Sequence, residues 1–196
     1  MIDLHTHIWN ESHWSKDTQE ALRRAYSENE LVKQLNISNE QHWKESGSKV
    51  AKSCVYAMMM TAAGIVVPND YIYSYVRTHP ETLIGVASVD PNEADCTQEL
   101  ERAVKTLGFQ AVKLSGAYQN FNPADPKHDP LYQTAQDLGI PIFWHAATTP
   151  WAVTPLKWSG PILIDEVAQR FPKLPMQICH MGHPWHDDAV MVVRKH

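Results

Sequence analysis

Apolar positions along this chain keep two rhythms that take turns. Short apolar runs at residues 1–7, 53–61, 82–90, 109–116, 140–145 and 176–180 read as strands. Residues 53–61 are apolar almost without a break, as expected of a strand covered on both faces. Between the runs, apolar residues recur at helical spacing. A helix is predicted from about Pro68, through Tyr71, Ile72, Tyr75 and Val76, to His79-Pro80. Leu100, Ala103, Val104 and Leu107 predict another, stopped by Gly108. Leu131, Ala135 and Leu138 predict a third, before Gly139, and Ile162, Val167 and Phe171 a fourth, ending at Pro172. Residues 187–196 read as one more helix. Strand, helix, strand with crossovers of helical length is the grammar of a parallel sheet with helices outside.

One stretch breaks the rhythm. Residues 8–52 form a long polar and aromatic connection with helix-like pieces, at 17–26 and after Ser38, where Gln41 completes a capping-box spacing. A connection of this length is either a working loop or a helical cover over one end of the sheet. His13 and His42 lie in it without strand context and are read as surface residues.

Composition narrows the class. A chain of 196 residues, 43% hydrophobic and 20% charged, suits one soluble globular domain. The net charge of −5, with no run of Lys or Arg, makes nucleic acid or an anionic membrane an unexpected partner. Cys54, Cys96 and Cys179 are odd in number and far apart, so a reducing, cytoplasmic setting is expected rather than a disulfide framework. The chain enters a strand at once, so no signal peptide is expected, and the longest apolar run, 57–68, is too short to span a bilayer.

The candidate chemistry begins at residues 1–7. Strict alternation puts Asp3, His5 and His7 on one strand face and Ile2, Leu4 and Thr6 on the other. Two imidazoles at that spacing can hold one divalent ion, although a chance surface pair would look the same. Eleven histidines are many for this length, and His145 and His180 end the fifth and sixth predicted strands. Polar groups at strand C-termini are where a (β/α)8 barrel builds its site. An open doubly wound sheet does likewise, but no Gly-rich fingerprint follows the first strand.

Together, residues 2–7, 84–91, 108–114, 130–145 and 179–185 resemble the amidohydrolase superfamily, and within it the amidohydrolase-related branch. That branch holds non-oxidative decarboxylases of the aminocarboxymuconate-semialdehyde and hydroxybenzoate type. The resemblance implies an α/β fold of the (β/α)8 TIM-barrel type, here incomplete at about six βα units. It implies that His5, His7 and His145 are metal ligands and that His180 binds metal or orients the attacking water. One divalent ion is expected, Zn²⁺ or also Mn²⁺. The family's Asp at the end of strand eight has no counterpart: Asp90 ends the third strand, and Asp187 and Asp188 sit in the last helix. The chain ends at His196, where the family continues, so a truncated chain is expected, weak or inactive by itself. Its open sheet edges are expected to pair with a second copy.

The implied reaction is attack of metal-activated water on a lactone, ester or amide carbonyl, with His180 as proton carrier. The alternatives are non-oxidative decarboxylation of a small carboxylic acid at the same site and an inactive fragment that binds metal only. Trp9, Lys113 and His183 are candidate substrate contacts. Lys113 could instead be a carboxylated metal bridge, by resemblance to two-metal members, or half of a surface ion pair.

Overall fold

A computed structural model describes residues 1–196, apart from the side-chain surroundings of residues 25 and 29. The strands in chain order are β1 (Ile2–Thr6), β2 (Lys52–Tyr56), β3 (Met58–Met60), β4 (Ile65–Val67), β5 (Leu83–Ser88), β6 (Ala111–Leu114), β7 (Ile142–Trp144) and β8 (Met176–Ile178). Six of them form one parallel sheet in the order β1-β2-β5-β6-β7-β8. Between β1 and β2 lie α1 (Lys16–Ala25), α2 (Glu28–Leu35) and α3 (Asn39–Glu45). Then α4 (Asn69–Val76) precedes β5, α5 (Cys96–Lys105) precedes β6, α6 (Asp129–Asp137) precedes β7, α7 (Ile162–Arg170) precedes β8 and α8 (His186–Lys195) follows it.

Every sheet strand therefore lies beside its predecessor in the chain, and the sheet curls. In a flat sheet, strands five places apart would stand about 24 Å from each other. Here His5, on β1, and His180, just past β8, have ring centroids 5.0 Å apart. This is a (β/α)8-type barrel sheet with six of the eight strands.

The apolar periodicity is spent as expected. Ile72, Leu100, Leu131 and Val167 are fully or almost fully buried between helix and sheet, and each such side chain contributes about 1.5–3 kcal/mol. Ion pairs clamp neighbouring outer helices: Arg102 to Asp70, Arg170 to Asp129, Lys195 to Asp165; Arg102 also pairs with Glu99 within α5. Exposed pairs of this kind contribute less than ~1 kcal/mol each. At the end of the sheet where strands lead into helices, buried Gln119 ties β3 to the segments that follow β5 and β6. Its Nε2 donates to the carbonyls of Met59 (2.9 Å) and Val89 (2.6 Å), and its Oε1 accepts from Ser115 N (2.9 Å). Among the described residues, no helix is long and apolar enough to cross a membrane.

Two expectations need correction, and one element was unforeseen. The run 53–61 is not one strand: β2 ends at Tyr56, and Met58–Met60 leaves the sheet as β3 to pair antiparallel with β4. The run stays apolar because both pieces are buried, so composition could not mark the break. A helix unforeseen in the connection, α2, is started by a capping box in which Glu30 Oε2 accepts from Ser27 N at 3.1 Å. His42 is no surface residue. It is 5% exposed, on the inner face of α3.

Candidate metal centre

β1 departs from strict alternation. Its register against β2 slips between Asp3 and Thr6, a bulge that seats one extra residue on β1. As a result Asp3 accepts from Ser46 Oγ (3.1 Å), and Thr6 Oγ1 lies 2.9 Å from His42 Nε2. Ser46 and His42 belong to the same helix end, so Asp3 and Thr6 both face α3. His5 and His7 face the barrel interior together, with ring centroids 5.0 Å apart. The expectation that Asp3 joins them is overturned by the bulge.

His145 and His180 complete the cluster. Their rings stand 4.6 Å apart, and His180 is 5.0 Å from His5. His145 Nε2 lies 3.2 Å from the carbonyl of Thr148. A carbonyl only accepts, so that nitrogen carries the proton and Nδ1 keeps a free lone pair. His180 follows β8 in the left-handed region (φ 57°), as does Met181 (φ 53°). Side chains tolerate that region poorly, and two such residues in succession turn the chain back over the sheet end.

The cluster lines a cavity of about 160 Å³ together with Trp9, Lys113, Tyr118 and Trp151. Trp9 stacks on His7 at 5.0 Å and donates from Nε1 to the carbonyl of Gln34 (2.7 Å). Lys113 is 2% exposed on β6, between Val112 and Leu114, which excludes the surface ion pair. Its Nζ donates to Cys179 Sγ (3.1 Å) and lies 5.2 Å from the centre of the Tyr56 ring. His183 stands apart from this cavity, exposed, its ring 5.3 Å from His186.

Every ionisable group in the cluster is pushed toward its neutral form. Burial, then the charges of Lys113 and His180, lower His5 to about 3. Burial foremost holds His7, His145 and His180 below the usual imidazole value, and it lowers Lys113 against the opposing pull of Cys179. Neutral imidazole is the form that binds a metal ion.

Two contributors were not foreseen. Tyr56 stacks on His5 (4.6 Å, 28°) and donates its hydroxyl proton to the carbonyl of Leu4 (2.6 Å). Tyr118 packs on His145 at 4.5 Å. The one signal for Tyr56 was a phenol within an apolar strand, since a buried tyrosine needs a partner for its hydroxyl.

The residues present fit one divalent ion. His7 Nδ1 is buried with no hydrogen-bond partner, in a ring 5.0 Å from that of His5. The rings are near but not convergent: among the described residues, no three His, Cys, Asp or Glu groups already meet as a ligand set. Among the described residues that line the cavity there is no carboxylate.

A curled parallel sheet with histidines gathered at the ends of its first, fifth and sixth strands is the sheet of a (β/α)8-type barrel. A protein-family model described as Amidohydrolase matches residues 2–196, and the chain belongs to that family. It is 29% identical over 84 residues to 2-amino-3-carboxymuconate-6-semialdehyde decarboxylase of Dictyostelium discoideum. That match spans 42% of this chain and only 22% of the relative's length. Among solved structures, an uncharacterized TIM-barrel protein from Bordetella bronchiseptica superimposes on all of this chain with a TM-score of 0.76 and 18% identity, 72% of that protein being covered. A 5-carboxyvanillate decarboxylase from Novosphingobium aromaticivorans, solved with bound manganese, covers 92% of this chain and 66% of its own, with a TM-score of 0.68 and 14% identity. At these identities the structures speak for the fold.

Proposed function

We propose that this chain carries the metal site of a non-oxidative decarboxylase acting on a small unsaturated or aromatic carboxylic acid. One observation carries the reading. The 160 Å³ cavity gathers four imidazoles and a buried lysine, and its described lining has no carboxylate. Such a pocket is short of negative charge, and a substrate carboxylate supplies it. The names of the amoebal relative and of the manganese-bound structure support the same reaction class.

His5, His7 and His145 would hold the ion, with His180 completing the set or carrying a proton beside it. Zn²⁺ and Mn²⁺ both suit neutral imidazoles. A bound divalent ion supplies a fixed positive charge against the anionic substrate. Lys113 pairs with the substrate carboxylate, which favours the charged form of its amine. Trp9 and Tyr118 form flat walls that orient an unsaturated ring and keep water out. In the reaction, R–COO⁻ and one proton become R–H and CO₂; the electron pair of the broken C–C bond stays on carbon. His180 reaches solvent and hands on that proton. His183, which stands apart from the cavity, is given no part in the reaction. Hydrolysis of a lactone or ester is the second reading, favoured by the family description.

One domain with residues 8–52 as a helical insertion carries this site. The free thiols of Cys54, Cys96 and Cys179 suit the reducing cytoplasm. A second copy would pair along the edges of β1 and β8; sedimentation at two concentrations tests that part.

The deciding experiment supplies Zn²⁺ or Mn²⁺ and measures CO₂ release from hydroxybenzoate-type acids beside hydrolysis of lactones. CO₂ release in step with acid consumption supports decarboxylation. Lactone hydrolysis without CO₂ release overturns it in favour of the second reading.

A further inference from the structure

We infer that His42, outside the cavity, is the positioning residue that fixes the His5–His7 pair for the metal ion. The inference rests on the metal reading above.

Proton placement along this contact follows from chemistry. Thr6 Oγ1 lies 2.7 Å from the carbonyl of Cys54, which can only accept, so the single hydroxyl proton of Thr6 is spent there. His42 Nε2, 2.9 Å from the same oxygen, must therefore donate to it. Burial foremost keeps His42 neutral, against a pull from Asp3. Its Nδ1 is then the acceptor for the hydroxyl of Tyr75, 2.8 Å away. The line runs Tyr75 to His42 to Thr6 to the backbone of β2, one donor and one acceptor at each step. Ser53 Oγ stands close by, 3.3 Å from Thr6 Oγ1 and 3.5 Å from His42 Nε2.

Thr6 is the residue between the two histidines. β1 is an edge strand, hydrogen-bonded to β2 alone, and a bulge interrupts even that ladder. The side-chain bonds make up the missing constraint. From inside, Tyr56 holds the carbonyl of Leu4. From outside, His42 holds Thr6. The residues on both sides of His5 are thus tied by opposite faces of the barrel wall. A metal site needs its ligands held within roughly half an ångström, so a loose edge strand would lose affinity even in a fully folded chain.

The test measures Zn²⁺ and Mn²⁺ dissociation constants by chelator competition, and the melting temperature of the metal-free protein, for the parent, His42→Ala, Thr6→Val, Thr6→Ser and Tyr75→Phe. Thr6→Val keeps the shape and removes the hydroxyl; Thr6→Ser restores it. The expected result is an affinity loss of about 10–100-fold in His42→Ala and Thr6→Val, near-parent affinity in Thr6→Ser and a smaller loss in Tyr75→Phe. A fall in melting temperature with unchanged dissociation constants would mean that His42 only stabilises the fold, and the inference would be overturned. Should His42→Ala fail to fold, the Thr6 pair decides: equal affinity in Thr6→Val and Thr6→Ser overturns it. If the parent binds neither ion, the metal reading falls and takes the inference with it. If the parent binds and the variants bind equally, the inference alone falls.

Discussion

β1 and β8 are the two edges of the same sheet, and both deliver histidines to one cluster, yet they are built differently. β1 has five residues and is tied by Tyr56, the carbonyl of Cys54, His42 and Ser46 from both faces. β8 has three half-buried residues, and the histidine it delivers is exposed and left-handed. Among the described residues the ring of His180 makes ring contacts but no hydrogen bond. On the proposed function the difference would divide the labour: a preorganised half would bind the ion, and a half open to solvent would move a proton.

The largest expected effect tests that division directly. His5→Ala with His7→Ala should lower metal affinity by three orders of magnitude or more, on the order of 4 kcal/mol. His180→Ala should cost about tenfold in affinity, near 1.4 kcal/mol, while removing most turnover. Chelator competition measures both. Equal affinity losses would erase the distinction between the two edges.

The β8 side should be the more fragile to backbone change. Gly182 has φ 70°, and a Cβ there would meet Ala189 Cβ at 2.6 Å and Pro161 Cγ at 2.9 Å. Gly182→Ala combines a left-handed side chain with a clash between the turn, α8 and the start of α7. The expected loss is about 1–3 kcal/mol, or roughly 2–4 °C in melting temperature for each kcal/mol. A melting temperature equal to the parent's would show that the turn yields freely.

Acid should act mainly through β1. Burial first of all depresses His5, to about 3, and His7 and His145 well below the ordinary imidazole value. Between those depressed values and the unfolded value near 6.5, the unfolded chain binds more protons than the folded one. Stability of the metal-free protein is therefore full above about pH 6.5 and falls as the pH drops below it, by at most about 1.4 kcal/mol per pH unit for each such histidine. Denaturant midpoints at pH 7, 6 and 5 measure the slope. His5→Ala with His7→Ala should flatten it, and His180→Ala should leave most of it.

Much of this was legible in the sequence because it is local. Periodicity gave the alternation of strands and helices, and His145 and His180 could be placed at strand ends by position alone. Lys113 was legible only as a strand residue: its sequence left a surface ion pair open, which its burial excludes. The rest depends on partners distant in the chain. The bulge in β1 is a property of its pairing with β2, so strict alternation misplaced Asp3. His42 looked like a surface residue because its partners, Thr6 and Tyr75, lie 36 and 33 residues away. The break between β2 and β3 hides in an unbroken apolar run, since sheet and ribbon bury their residues alike.

The smallest effect is also the finest probe of the two edges. Met181 sits at φ 53° with its side chain 78% exposed, so the side chain contributes little packing in exchange for the strain. A left-handed non-glycine residue costs about 1–2 kcal/mol. Glycine relieves that strain, but it gives back about 0.5–1 kcal/mol through the greater freedom of the unfolded chain. Met181→Gly should therefore raise the stability of the metal-free protein by about 1 kcal/mol or less, against the destabilisation expected at neighbouring Gly182. The same substitution frees the turn that aims His180, so metal affinity should fall two- to threefold, roughly 0.5 kcal/mol, while the β1 histidines keep theirs. Stability rising as affinity falls is the signature of strain held for positioning. If both rise together, the left-handed turn does not aim His180, and the half of the site open to solvent is set elsewhere.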